Sequence, residues 1–222
     1  MYPQYVEIEN KRYKINTDFR VALECNRIAE DNTIGDLERA LAIIYTLFGE
    51  DGINTPYHYE KLLELGQKYL LCGENIDEFS RQRKDNTNDL DFNKCEGLIK
   101  SSFKFDYQYD PYSKDYLHWY EFNNDLMNLS ASEMGSCCVL NRVVDILNRK
   151  TKDIKDKKQK DNLVKTQNEL RKKYCVEHKK KATDEQRKSA ENFLKSLGII
   201  ERSWFYGRIC YNWNWIRHKV IW

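Results

Sequence analysis

Apolar residues recur along most of the chain at helical spacing, broken by polar, glycine-bearing stretches. Leu37, Leu41, Ile44 and Phe48 are four, three and four apart. They predict a helix from about Gly35 to Phe48, ended by Gly49-Glu50-Asp51-Gly52. Before it, Phe19, Val21, Leu23 and Ile28 predict a helix capped by Thr17 or Asp18 and broken by Asp31-Asn32-Thr33. After it, Thr55, Pro56 and Gly73 mark the start and stop of a third helix. Its apolar face carries Tyr59, Leu62, Leu63, Gly66, Tyr69 and Leu70. A glycine inside that helix costs about 1 kcal/mol relative to alanine, so its presence points to close packing at Gly66. Tyr5 to Ile15 alternates instead, with Val6 and Ile8 matched by Tyr13 and Ile15 across an Asn10-Lys11 turn; a β-hairpin is expected.

Further along, Glu74 to Asn93 is polar and unpatterned and reads as a loop. Cys95 to Phe105 reads as a short helix and an extended piece. The densest aromatic stretch follows. Asp110 to Leu129 reads as a turn and an amphipathic helix with Leu117, Trp119, Phe122, Leu126 and Leu129 on its buried face. After Met134-Gly135, Cys137, Leu140, Val144 and Leu147 form another stripe. Leu163, Gln167, Leu170 and Tyr174 keep helical spacing but are thin for burial. Thr183 to Gln186 is a capping box opening a helix with Ala190, Phe193, Leu194 and Leu197, ended by Gly198. The expected fold is mainly α: about six to seven helices with a small N-terminal hairpin. Residues 1–148 form the helical core, 149–198 a basic helical segment packed on it or protruding, and 199–222 an aromatic tail in which Tyr211, Trp213 and Trp215 alternate with asparagines.

Charge sharpens this division. The 222 residues carry a net +2, yet Arg149 to Lys188 holds 16 Lys/Arg against 7 Asp/Glu, leaving about −7 for the remainder. Such asymmetry points to a basic segment that docks on something acidic, the rest of the chain included. The solvated helix face is the plainer explanation, because acids interleave the lysines. Seven cysteines at irregular spacing, with no signal-peptide pattern at the start, read as free thiols in a reducing compartment. No apolar run approaches the ~20 residues of a membrane span.

The usual chemical motifs are missing. There is no phosphate-binding glycine loop, no HExxH, no paired CxxC and no GxSxG. Cys175 and His178 make one CxxH without a second pair of ligands. Cys137-Cys138 reads as small core filling. Asp106 and Asp110 read as turn and cap residues, and His118 as a packed or interface histidine with no nucleophile beside it. No enzyme, cofactor or metal is expected. Nucleic-acid binding is the stronger alternative. Lys157, Lys158, Lys172, Lys173, Lys179 and Lys180 offer phosphate contacts, and Trp204, Trp213 and Trp215 offer stacking surfaces.

Three pieces together resemble a known family: the hairpin with NTDFRVALECNRIAEDN, the LAIIYTLFGED helix, and SSFKFDYQYDPY with LHWYEFNNDLMNLS. The chain resembles the fifteenth-gene-product family of long-tailed phages and prophages over roughly Val6 to Tyr174. Thr17-Asp18-Phe19-Arg20 and Leu117-His118-Trp119-Tyr120-Glu121-Phe122 are its most specific words. Members are encoded beside the tail tape-measure protein. The resemblance therefore implies a non-enzymatic tail assembly chaperone in the bacterial host cytoplasm. Its implied partners are the tape-measure protein and the tail tube protein, and a structural component of the particle is a further alternative. In a helix-in-groove mode, Trp119 and Phe122 would line the groove or support it from beneath, and Trp204, Trp213 and Trp215 would anchor the partner.

Overall fold

Two residues with positive φ, Glu9 (48°) and Asn10 (68°), turn the chain back near its start. They form a two-residue loop of the type whose twist matches paired strands. Strand β1 (Tyr5–Ile8) pairs antiparallel with β2 (Lys11–Lys14), Val6 opposite Tyr13. The hairpin is as expected, but the turn lies one residue earlier than Asn10-Lys11. Tyr13 and Ile15 are buried.

The computed structural model describes residues 2–31, 33–73, 90–129, 138–176 and 188. Among them are seven α-helices and this two-stranded hairpin, so the fold is mainly α. The expected loop over residues 74–89, Met134-Gly135, Cys137, the helix after Thr183 and the aromatic tail lie outside the described residues. The described elements fall into two compact units.

The first unit holds the hairpin, α1 (Phe19–Glu30), α2 (Asp36–Ile53), α3 (Tyr59–Leu70) and His118–Tyr120. Asp18 caps α1 by accepting from the Arg20 N–H at 2.9 Å. The buried face of α1 is Phe19, Ala22, Cys25, Asn26 and Ala29 with Ile28, rather than the expected Val21 and Leu23, which are half-exposed. Small residues let α1 lie close on α2, its main neighbour. Helix α2 does not stop at Phe48. Gly49 breaks its geometry with φ 63°, and helical turns resume through Ile53. The resumed turns bury Gly52, where a Cβ would lie 2.8 Å from Phe48 Cβ and 3.0 Å from Ile44 Cγ2, so glycine fits there. Pro56 opens a 3-10 turn (Pro56–His58) before α3. Thr55 makes no side-chain cap there. Its hydroxyl donates to the Asp51 carbonyl and accepts from Lys11 Nζ at 2.6 Å. At the end of α3, Gly73 N–H donates to Lys68 O and Cys72 N–H to Tyr69 O. This is a Schellman closure with Cys72 (φ 54°) as its left-handed residue.

The second unit is built on α4 (Phe92–Tyr107), α5 (Trp119–Met127) from Glu121 onward, α6 (Val139–Asn148) and α7 (Lys157–Tyr174). Helix α4 is one continuous element, where a short helix and an extended piece were expected. It begins within the stretch read as loop, because Asp91 caps it by accepting from the Asn93 and Lys94 N–H groups. Helix α6 buries Leu140, Val143 and Leu147; Val144, expected in the stripe, is half-exposed. Buried Ser102 on α4 caps α6 from outside, its hydroxyl accepting from the Leu140 N–H at 3.1 Å. No helix among the described residues is long and apolar enough to cross a membrane.

Candidate partner-binding surface

The two most distinctive sequence words meet in the first unit. Asp18 and His118 form an isolated antiparallel bridge, and the Trp119 N–H donates to the Thr17 carbonyl at 2.8 Å. Each word also starts a helix. His118 Nδ1 accepts from the Tyr120 N–H at 3.1 Å, so the imidazole stands where a capping side chain would. That acceptance leaves the ring proton on Nε2, which donates to the Pro3 carbonyl at 3.3 Å. Tyr2 stacks on the same ring at 4.8 Å, and Tyr69 stacks on Tyr120 at 5.2 Å. Burial pushes the Tyr120 hydroxyl up to about 12, with the Cys72 thiol adding to it. Buried Trp119 donates its indole N–H to the Leu70 carbonyl at 3.0 Å.

In the second unit Phe122 is fully buried and stacks on Phe103 at 5.4 Å, with planes 15° apart. Tyr107 and Tyr109 both reach Asp125: one hydroxyl donates to its carbonyl at 2.8 Å, the other to its carboxylate at 2.6 Å. Desolvation first, and that hydrogen bond second, push the Tyr109 hydroxyl far above its ordinary range. Lys114 Nζ lies 3.9 Å from the Tyr109 ring centre. Asp110 caps the 3-10 turn Pro111–Ser113 through the Tyr112 N–H and stands 3.7 Å from Lys104 Nζ. Trp119 and Phe122 thus lie beneath a surface, not on it; the aromatic word organises the core.

The exposed chemistry lies on α7. Lys157, Lys158, Lys172 and Lys173 are all exposed, a point on which the sequence left packing and protrusion both open. Lys179, Lys180, Trp204, Trp213 and Trp215 lie outside the described residues. Only Gln167 of α7 is buried. Its amide nitrogen donates to Ile146 O (2.8 Å), Leu147 O (3.4 Å) and Arg149 O (2.9 Å), the carbonyls that end α6. The far end of α7 is clasped to the start of α4. The Asp91 N–H donates to Tyr174 O at 2.8 Å, Lys94 Nζ to Cys175 O at 3.1 Å, and Cys95 Sγ to Tyr174 O at 3.5 Å. Cys175 is therefore a buried part of this clasp, and its CxxH partner His178 is outside the described residues. Burial pushes the Cys95 thiol up to about 12. Among the described residues, no cluster of three His, Cys, Asp or Glu side chains stands ready for a metal ion.

The family model for the bacteriophage Gp15 protein matches residues 2–171. The chain belongs to the bacteriophage Gp15 protein family. The match runs from Tyr2, whose ring packs on His118, into the last turn of α7, so the Gp15 assignment takes in the paired words, the tyrosine clamp on Asp125 and the basic helix. No curated protein and no solved structure matches this Gp15 chain.

One arrangement was not visible in the sequence. Glu9, His58 and Tyr13 line up, with the Tyr13 hydroxyl 2.6 Å from His58 Nδ1 and His58 Nε2 3.5 Å from Glu9. A carboxylate, a histidine and a hydroxyl in series invite a catalytic reading. Tyr13 is 0% exposed, so its hydroxyl meets no substrate. The series latches the hairpin to the 3-10 turn. Alternation marked Tyr13 as inward-facing, but nothing in the sequence paired it with His58.

Proposed function

We propose that this Gp15 protein is a non-enzymatic tail assembly chaperone that binds the tape-measure protein in the host cytoplasm. Membership of the Gp15 family carries the reading; the resemblance implies that members are encoded beside the tape-measure gene. The geometry supports a division of labour consistent with it. Trp119 and Phe122, each buried in its own unit, serve as core rather than as contact residues. The exposed face of α7 supplies the contact surface, and Trp204, Trp213 and Trp215, outside the described residues, are the aromatic anchors that the sequence offers. Shielding an apolar partner until the tail tube protein assembles around it needs such a rigid base with a separate docking face.

Co-expression with the tape-measure chain tests this. The expected result is that the tape-measure chain stays soluble and co-purifies; no association at low or moderate salt overturns it. Finding the protein in purified particles supports a structural component instead. The exposed lysines of α7 favour nucleic acid as the second reading, and duplex or single-stranded binding that weakens steeply with salt would support it.

A further inference from the structure

Among the described residues two histidines are buried, and a proton would act on them differently. His58 faces groups that can adapt. Its Nδ1 meets the Tyr13 hydroxyl at 2.6 Å, which can donate or accept, and its Nε2 faces the Glu9 carboxylate at 3.5 Å. His118 has no such latitude. Its Nδ1 lies 3.1 Å from the Tyr120 N–H, and a backbone N–H can only donate. Its Nε2 lies 3.3 Å from the Pro3 carbonyl, which can only accept. One tautomer of the neutral ring satisfies both. The imidazolium carries a proton on each nitrogen and loses the bond from Tyr120.

The surroundings oppose the extra charge as well. His118 is 5% exposed, so water does little to solvate a cation there. The ring stands at the start of α5, where the helix dipole is positive. Packed on it are Tyr2 from the N-terminal segment at 4.8 Å, Tyr69 from α3 at 6.3 Å and Tyr120 from α5 at 5.5 Å, with the Cys72 thiol beside Tyr120. The stacked face of Tyr2 offers the imidazolium a weak cation–π attraction. The carboxylates on the same elements are engaged. Asp18, bridged to His118 through the backbone, accepts from the Arg20 N–H at 2.9 Å and from its guanidinium at 3.0 Å. Glu121, in the first turn of α5, has Lys114 Nζ at 3.9 Å.

The ring holds more than one helical turn. Asp18 and His118 pair as strands do, and the Trp119 N–H donates to the Thr17 carbonyl at 2.8 Å. The cap therefore sits on the junction at which α1 and α5 both begin. We infer that His118 is an acid-sensitive cap: protonation of Nδ1 frees the Tyr120 N–H and opens the junction of residues 17–18 with residues 118–120. An ordinary histidine takes up its proton near pH 6.5, roughly the pH below which the device operates. The sign follows from the donors and acceptors. The open form binds the proton and the closed form does not, so acid favours opening.

Exchange of the Tyr120 amide reads the device directly. Its protection factor in the full chain, corrected for the intrinsic pH dependence of exchange, is compared at about pH 7.5 and about pH 5.0 with that of Leu63 in α3. On acidification Tyr120 is expected to lose at least about tenfold more protection than Leu63, since at pH 5.0 an ordinary imidazole is about thirtyfold more often protonated than not. His118→Asn offers a neutral side-chain carbonyl as the cap. It should keep the protection at pH 7.5 within about threefold and abolish the fall. The imidazole nitrogen resonances of the unaltered chain give a reading that needs no variant. At neutral pH His118 should carry its proton on Nε2, and Nδ1 should gain one only as the Tyr120 amide loses protection. Protection of Tyr120 that ignores pH, an equal fall at Leu63, an equal fall in His118→Asn, or a proton on Nδ1 at neutral pH overturns the inference. Should His118→Asn fail to fold, the two titrations of the unaltered chain decide: coincident midpoints support the device, and midpoints more than about one pH unit apart overturn it.

Discussion

Gly66 shows what a single missing side chain does. A Cβ at this position in α3 would lie 3.0 Å from Leu47 Cδ1 and 3.4 Å from Phe48 Cε2, both on α2. The glycine costs helix propensity, and the close contact of α2 with α3 offsets it. Gly66→Val would push two further methyl groups into that contact. It is expected to destabilise by about 1–3 kcal/mol, read as a lower urea midpoint with an unchanged slope; an unchanged midpoint would show that α2 yields without cost. Gly66 was legible because a glycine in the middle of an apolar stripe breaks propensity visibly. His118 as a cap was not. Histidine is no usual capping residue, and only the bridge to Asp18 turns its Nδ1 toward the Tyr120 N–H.

Among the described helices, α7 buries the fewest residues, Gln167 alone. Mean burial along it is low, and its attachment concentrates in Gln167 at mid-helix and the clasp after Tyr174. Gln167→Ala leaves the carbonyls of Ile146 and Arg149 without their buried donor, which costs about 1–3 kcal/mol. The expected signature is local: faster amide exchange across α7 and the last turn of α6, with α4 little changed. Uniform acceleration across all helices would refute the idea of a lightly tethered helix. The thin spacing of Leu163, Gln167, Leu170 and Tyr174 foretold weak burial. It did not foretell that an amide, not a leucine, would be the anchor, since that depends on where α6 ends.

For the whole molecule, buried thiols and phenols make stability depend on alkaline pH. Cys95 rises from 9.0 and Tyr120 from 10.0, each to about 12, and Cys25 and Tyr109 move the same way, all chiefly through burial. The unfolded chain releases these protons near their ordinary values, while the native chain holds them. Between about pH 9 and 12 the unfolded state therefore binds fewer protons, and stability falls as pH rises. Urea midpoints should be level from about pH 7.5 to 9 and decline above it, less steeply in Cys95→Ala. A level profile to pH 11 would contradict the burial of these groups. The same burial should leave Cys25 and Cys95 slow toward thiol-alkylating reagents in the native state, because the thiolate is the reactive form.

The sequence by itself determined most of the local structure. Capping by Asp18 and the buried face of Leu117, Trp119, Phe122, Leu126 and Leu129 follow from short-range chemistry within a few residues, as does the hairpin itself, though its turn falls at Glu9-Asn10 and the third helix closes through Cys72. The same words identified the family. Tertiary structure decided what a period of 3.6 cannot. It chose Val143 over Val144 and the small residues of α1 over Val21 and Leu23, because a neighbouring element, not the helix, selects which side of a broad apolar arc is buried. It paired Thr17 with Trp119 and Glu9–His58–Tyr13, and it turned the lysines of α7 outward by burying Gln167. Each joins groups far apart in sequence, and only the packed chain brings them within hydrogen-bond reach.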